Sequence, residues 1–293
     1  MGVHILENEF LRAAVSDAGA ELVSVTDKEK HAERIWTGDP AVWNRHAPIL
    51  FPFVGKVTGG KYRIGEREYS MKTQHGFARD LEFECVEETD NAVTHALSST
   101  ERTQEIYPYQ FYLQITHELD RENPRLLHVR WRVENRDTET MYYSIGGHPG
   151  FLMPSDVQKE DCFLVFPGQK ELRYFSANSE GFALPEKQRC LSPEGGYARY
   201  QSDIPDTWIF TGNTVREIEI ALPDKKPYVT LHCEQFPMLA VWATPYGTFI
   251  CLEPWFGRTD DAGFQGTLAK KPGIETLAPR EAKDIQYSIL FHE

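Results

Sequence analysis

The sequence predicts an all-β protein built as one large antiparallel β-sandwich, and three observations carry that expectation. Apolar and polar residues alternate with a period of two along several stretches, and turn residues separate those stretches at short intervals. The 13 Tyr and 17 Phe supply large rings of the kind that fill the space between packed sheets. No stretch longer than about three turns carries a convincing 3.6-residue period.

In chain order, Phe111, Leu113 and Ile115 form the first such alternation. Leu127, Val129, Trp131 and Val133 then interleave with His128, Arg130, Arg132 and Glu134, the pattern of a half-buried strand. Ile218, Ile220 and Leu222 alternate with Glu217 and Glu219. Phe249, Cys251 and Glu253 share one face of a run whose other face is Ile250 and Leu252. Both faces are apolar, which predicts an interior strand with Glu253 near its exit. Tyr287, Ile289 and Phe291, set against Ser288 and His292, close the series. Thr58-Gly59-Gly60, Pro193-Glu194-Gly195-Gly196 and Leu222-Pro223-Asp224 are the turn signals between runs. No linker, low-complexity tract or internal repeat divides the chain, so residues 1–293 are expected to form a single domain.

The charge balance excludes several partners. Lys plus Arg total 31 against 44 Asp plus Glu, a formal charge of -13. Nucleic acid needs a basic footprint, and anionic membrane surfaces need the same. No apolar run approaches the roughly 18 residues of a membrane span. The opening Met1-Gly2-Val3-His4-Ile5-Leu6 lacks the pattern of a secretory signal, and Leu6 stands where myristoylation wants Ser or Thr. Five widely spaced cysteines with no C-x-x-C argue against a disulfide framework or a zinc knuckle and for a reducing compartment. The cytoplasm is the expected location.

Three short segments each hold one proton-handling side chain among glycines, prolines and aromatics. They are Gln74-His75-Gly76-Phe77-Ala78-Arg79-Asp80, Gly146-Gly147-His148-Pro149-Gly150-Phe151 and Cys251-Leu252-Glu253-Pro254-Trp255-Phe256-Gly257. Two imidazoles and a carboxylate are a minimal set for moving protons on and off a neutral polyhydroxy substrate near neutral pH. The rings beside them suit the apolar face of a sugar. Pro254 and Pro149 push Glu253 and His148 into extended geometry. A carboxyl walled by Trp255 and Phe256 should be desolvated, raising its pKa towards that of a useful base, unless Arg258 pairs with it.

Other chemistries lack their motifs. His117-Glu118 is followed by Leu119-Asp120-Arg121 rather than by a second histidine, and no His-x-His occurs, so no metal site is expected. There is no P-loop, no G-x-G-x-x-G and no G-x-S-x-G, which removes the usual nucleotide cradle and serine-hydrolase elbow.

Together these segments resemble the aldose 1-epimerase (galactose mutarotase) family in its LacX-like branch. The likeness begins at Asn8-Glu9-Phe10-Leu11 with Gly19-Ala20-Glu21-Leu22. It runs through Trp43-Asn44-Arg45-His46-Ala47-Pro48-Ile49-Leu50-Phe51-Pro52 and the two histidine segments to Leu252-Glu253-Pro254-Trp255, nearly the whole chain. The resemblance implies a galactose mutarotase-like supersandwich. It implies Glu253 as the base that takes the anomeric hydroxyl proton, His148 as the acid for the ring oxygen, and His75 as holder of the anomeric or ring oxygen. Asp206, in Asp206-Thr207-Trp208-Ile209-Phe210, matches an aspartate that positions sugar hydroxyls. Arg45, Arg79 and Trp255 are further substrate-binding candidates. Where relatives carry arginine after Phe-Pro-x-x-Gly, this chain has Lys56, which keeps the charge without the planar fork.

The implied activity is interconversion of the α and β anomers of an aldohexose, with a small-molecule sugar as partner and no cofactor. Three alternatives stay open: a hexose-6-phosphate 1-epimerase, since one local arginine cluster suffices for phosphate; a non-catalytic carbohydrate-binding protein; and a glycoside hydrolase pairing Glu253 with Asp206 or Asp260. Monomer and homodimer are equally compatible with the sequence.

Overall fold

In the computed structural model, which describes residues 2–200 and 207–293, two large antiparallel sheets pack against each other through one shared apolar cluster. The nine-stranded sheet runs Tyr197–Arg199, Phe163–Val165, Glu217–Ala221, Pro227–His232, Ala282–Phe291, Leu126–Asn135, Phe111–Leu119, Ala92–Ser98 and Glu84–Glu88 from edge to edge. The eight-stranded sheet runs Arg189–Leu191, Leu172–Ser176, Trp208–Thr211, Met238–Trp242, Phe249–Phe256, Ile145–Gly147 and Ile49–Leu50, with Gly150–Leu152 also pairing to Phe249–Phe256. A four-stranded sheet of Val3–Glu7, Leu11–Ser16, Glu21–Asp27 and Ala32–Glu33 lies at the start of the chain. Among the described residues the only α-helix is the short Glu101–Ile106, capped by Thr100. The expected all-β sandwich is what folds.

Period-two alternation explains the nine-stranded sheet directly. Leu127, Val129, Trp131 and Val133 are buried along one face, and Phe111, Leu113 and Ile115 continue that face across the ladder. Tyr287, Ile289 and Phe291 extend it on the other side. Trp131, Phe236, Tyr287 and Phe256 meet at ring-centroid distances of 5.0–6.1 Å, joining the two sheets. The Glu217–Ala221 run departs from simple alternation because the register shifts between Ile220 and Ala221, which leaves Leu222 beyond the strand.

The Phe249–Phe256 strand is buried on both faces, as its sequence predicts. Glu253 sits within this strand rather than at its exit. The opening comes from its neighbour instead. Gly146 pairs with Trp255 and Gly150 with Cys251, and the intervening Gly147-His148-Pro149 makes no pair with that strand, Gly147 pairing with Ile49 on its other side. Neither Pro149 nor Pro254 has an N–H to pair across this gap. Gly146 is required there because a Cβ would stand 2.6 Å from Cδ1 of Trp255. His148 is held from the opposite side, its backbone N–H donating to the Pro48 carbonyl at 3.1 Å.

Candidate active site

A cavity of about 460 Å³ opens over this gap. Glu253, His148, His75, Lys56, Arg79 and Trp255 all line it, so folding gathers six of the eight residues expected from the sequence around one hollow. Arg45 is set back from the lining. Its guanidinium pairs with the Asp80 carboxylate and donates to the Arg79 carbonyl at 3.0 Å, so it braces the segment that carries Arg79. Asp206 lies outside the described residues.

Nε2 of His148 lies 3.3 Å from Oε2 of Glu253, close but without the alignment of a hydrogen bond. Glu253 is 1% exposed and, among the described residues, no lysine or arginine pairs with it. Arg258, the expected bland partner, instead pairs with Asp261 at 2.6 Å and donates to the Thr259 carbonyl at 3.0 Å. Burial therefore pushes the Glu253 carboxyl well above the usual carboxylate range, opposed only in part by the nearby Trp255 indole. Burial, helped by the Arg79 charge, pushes His148 down to about 3. Both members of the pair are thus held towards their neutral forms, with one proton between them.

The imidazole of His148 is oriented by rings. Trp43 lies at 4.9 Å in a tilted stack and Trp242 at 5.4 Å edge-on, both in the lining. Its Nδ1 is buried and has no hydrogen-bond partner among the described residues. An indole face at this distance favours the imidazolium when it forms, compensating for the missing counter-ion on that side.

His75 stands 5.6 Å from His148, ring to ring, nearly perpendicular. Its backbone has φ of 66°, unusual for a residue with a side chain. That conformation is held because its N–H donates to the Gly55 carbonyl at 2.7 Å and Gly76 crosses Phe51 where a Cβ would stand 2.3 Å from the carbonyl oxygen. The Gly55 N–H donates back to Nδ1 of His75 at 3.1 Å. An Nδ1 that accepts leaves the ring proton on Nε2. Burial, then the charges of His148, Arg79 and Lys56, holds His75 well below the ordinary histidine range, so it is a neutral donor.

The rim is polar. Lys56 donates from Nζ to the Glu180 carbonyl at 2.7 Å, and Arg79 donates to the Gln74 carbonyl at 2.8 Å. Asn178, Thr207, Thr244 and Thr259 add polar groups to the lining. Sequence reasoning singled out none of these four, and it quoted Trp43 only within a motif without assigning it to the wall. Asp260 is turned away: it pairs with Lys271 at 2.6 Å and accepts from the Thr58 N–H at 2.8 Å. It therefore does not face Glu253 as a glycosidase partner would. His148, Cys251 and Glu253 also bring one nitrogen, one sulfur and one oxygen within 4.8 Å of one another, a donor set that fits a borderline-soft divalent ion. Burial raises both the Cys251 thiol and the Glu253 carboxyl, so such an ion would have to displace both protons.

No helix among the described residues is long and apolar enough to cross a membrane.

Comparison with known proteins identifies what the chain as a whole is similar to. The chain is 30% identical to the plasmid-encoded protein LacX of Lactococcus lactis subsp. lactis over 302 aligned positions, covering 97% of each. A galactose mutarotase-related enzyme from Lactobacillus acidophilus superposes with a TM-score of 0.91 at 28% identity, covering 100% of this chain and 98% of that one. A galactose mutarotase-like protein from Lactobacillus casei superposes with a TM-score of 0.89 at 30% identity, over 99% of this chain and 100% of that one. A family model for aldose 1-epimerase matches residues 3–243, which takes in both histidine segments and stops short of Glu253. With that match over most of its length and the fold in common, the chain belongs to the aldose 1-epimerase family.

Proposed function

We propose that this protein, acting as one domain over residues 1–293, interconverts the α and β anomers of an aldohexose, with Glu253 as base and His148 as acid. The observation that supports this best is the 3.3 Å approach of these two groups inside a hollow walled by Trp43, Trp242 and Trp255. The anomeric hydroxyl and the ring oxygen of a pyranose are borne by one carbon. A base and an acid this close can address both at hydrogen-bond distance.

In the sugar-free site the shared proton rests on Glu253. Transfer of that proton to His148, through a bound hydroxyl, gives the reactive carboxylate and imidazolium. Glu253 then takes the C1 hydroxyl proton, the electron pair left on that oxygen forms the C1 carbonyl, the C1–O5 bond breaks, and His148 protonates O5. The C1–C2 bond rotates and the steps reverse on the other face, so no proton is gained or lost overall. The Nε2–H of His75 donates to the oxygen on which charge develops. Each positioned proton transfer is worth on the order of 10²–10⁴ in rate.

One observation favours a second reading, a hexose-6-phosphate as substrate. Lys56 and Arg79 both line the cavity, and their resolved side-chain hydrogen bonds run to backbone carbonyls rather than to carboxylates. Anomer exchange rates by NMR on glucose, galactose and their 6-phosphates decide between them: acceleration of phosphates alone rejects the neutral sugar. Sugar binding with no acceleration of any of the four leaves a non-catalytic binder.

A further inference from the structure

Outside the lining of this cavity, four side chains converge where the first sheet meets the edge of the nine-stranded one. His4 comes from Val3–Glu7, Cys85 from the edge strand Glu84–Glu88 and His95 from Ala92–Ser98. Asp17 comes from the turn after Leu11–Ser16, which is tied to the segment before the edge strand. There the Phe83 N–H donates to the Asp17 carbonyl at 2.8 Å and the Gly19 N–H to the Leu81 carbonyl at 2.7 Å. Cys85 and His95 are direct cross-strand partners, and a register shift between Cys85 and Glu87 re-aims the edge strand there.

Oδ1 of Asp17 lies 3.0 Å from Nε2 of His4 and 3.3 Å from Nε2 of His95. One nitrogen of each histidine and Sγ of Cys85 all lie within 4.8 Å of one another. In a tetrahedral site with metal–ligand bonds of about 2.0–2.1 Å, neighbouring nitrogen and oxygen ligands are about 3.3 Å apart, and sulfur somewhat further. The two Asp17–imidazole separations match that spacing, and the His4, Cys85 and His95 atoms are near enough to one another to share one ion. A further contact points the same way. Nδ1 of His4 lies 2.9 Å from Oε2 of Glu88, the carboxylate-to-imidazole contact that orients a metal-ligating histidine.

We propose that His4, Cys85 and His95 form a site for a borderline-soft divalent cation, best met by Zn²⁺, with Asp17 the oxygen donor beside both rings and Glu88 positioning His4. Such an ion ties the first strand of the chain to the outermost strands of the nine-stranded sheet, which lie some 80 residues later in sequence. The ligands come from separate strands and a turn, so no linear spacing announces them.

The test uses the full chain free of any affinity tag. Zn²⁺ is titrated by calorimetry, and Co²⁺ is followed by its thiolate charge-transfer absorption in the near ultraviolet. One equivalent should bind. Cys85→Ser, at a partly exposed position, should abolish the thiolate band and weaken Zn²⁺ binding more than 100-fold. Glu88→Gln should weaken it by about 10–100-fold. Cys251→Ser, which alters the donor set in the cavity, should leave both readouts unchanged. Zn²⁺ should raise the thermal unfolding temperature of the unsubstituted protein and not that of Cys85→Ser. The proposal is overturned if Cys85→Ser binds Zn²⁺ as tightly as the parent. It is equally overturned if the thiolate band disappears in Cys251→Ser and survives in Cys85→Ser, because the ion then sits in the cavity.

Discussion

Replacing Glu253 by Gln should reduce activity and raise stability at the same time. Glutamine keeps the shape of the side chain and the neutral charge that the buried carboxyl holds, but it cannot accept the anomeric proton. The loss of one positioned proton transfer predicts a fall in turnover on the order of 10²–10⁴. The stability effect follows from the raised pKa. Below the ordinary value of 4.5, folded and unfolded chains are both protonated at this position and nothing is gained or lost. Above it, the unfolded chain releases the proton while the folded chain keeps it, so stability falls as pH rises. At about 1.4 kcal/mol per pH unit, the penalty reaches about 3 kcal/mol at pH 7 for a carboxyl that stays protonated there. The variant escapes this penalty. It should therefore unfold several degrees higher than the parent at pH 7 and match it near pH 4.5. Anomer exchange by NMR and thermal unfolding at the two pH values are the assays. Full activity in the variant refutes the assigned base. A variant that loses stability relative to the parent on going from pH 4.5 to pH 7 refutes the protonated, unpaired carboxyl.

Three further outcomes follow from the same geometry. The pH–rate profile should be flat through neutrality, because the pair holds a single proton there, and should fall in acid as His148 takes a second proton at about 3; a loss centred near 6.5 contradicts it. His75→Asn should keep the fold, since asparagine tolerates positive φ, and lose on the order of 10² in turnover with the Nε2–H donor; His75→Val should lose stability as well, measurable by urea unfolding. His117, buried in Phe111–Leu119, is pushed down to about 3 by burial and His95. The unfolded chain takes up a proton there from about pH 6.5 downwards while the folded chain does not. His117→Leu should therefore shift the acid-unfolding midpoint to lower pH without changing activity.

Much of this was legible in the sequence because period-two burial is a local signal. Leu127, Val129, Trp131 and Val133 announce their strand and its face, and the doubly apolar run around Cys251 announces an interior strand. Part of the cavity lining was legible through Glu253, His148 and His75, each set among residues that restrict the backbone. What stayed hidden depends on tertiary partners. Nothing near Arg45 says that Asp80 holds its guanidinium back from the cavity, and nothing near His75 says that Gly55 fixes its tautomer. The gap opposite Glu253 was hidden too, because it arises where two short strands share one long neighbour. Trp242 becomes a wall of the site only through its pairing with Cys251 across the ladder.

Glu253 and His148 are not gripped equally, and under the proposed mechanism this has a consequence for turnover. Glu253 belongs to a strand buried from end to end, whereas His148 bridges two three-residue strands and leans on the Trp43 indole. Small adjustments in how far a proton must travel therefore fall to the imidazole, which can tilt against flat neighbours without disturbing any sheet hydrogen bond beyond its own. A catalyst that must donate in one half of its cycle and accept in the other is well served by one fixed jaw and one that gives.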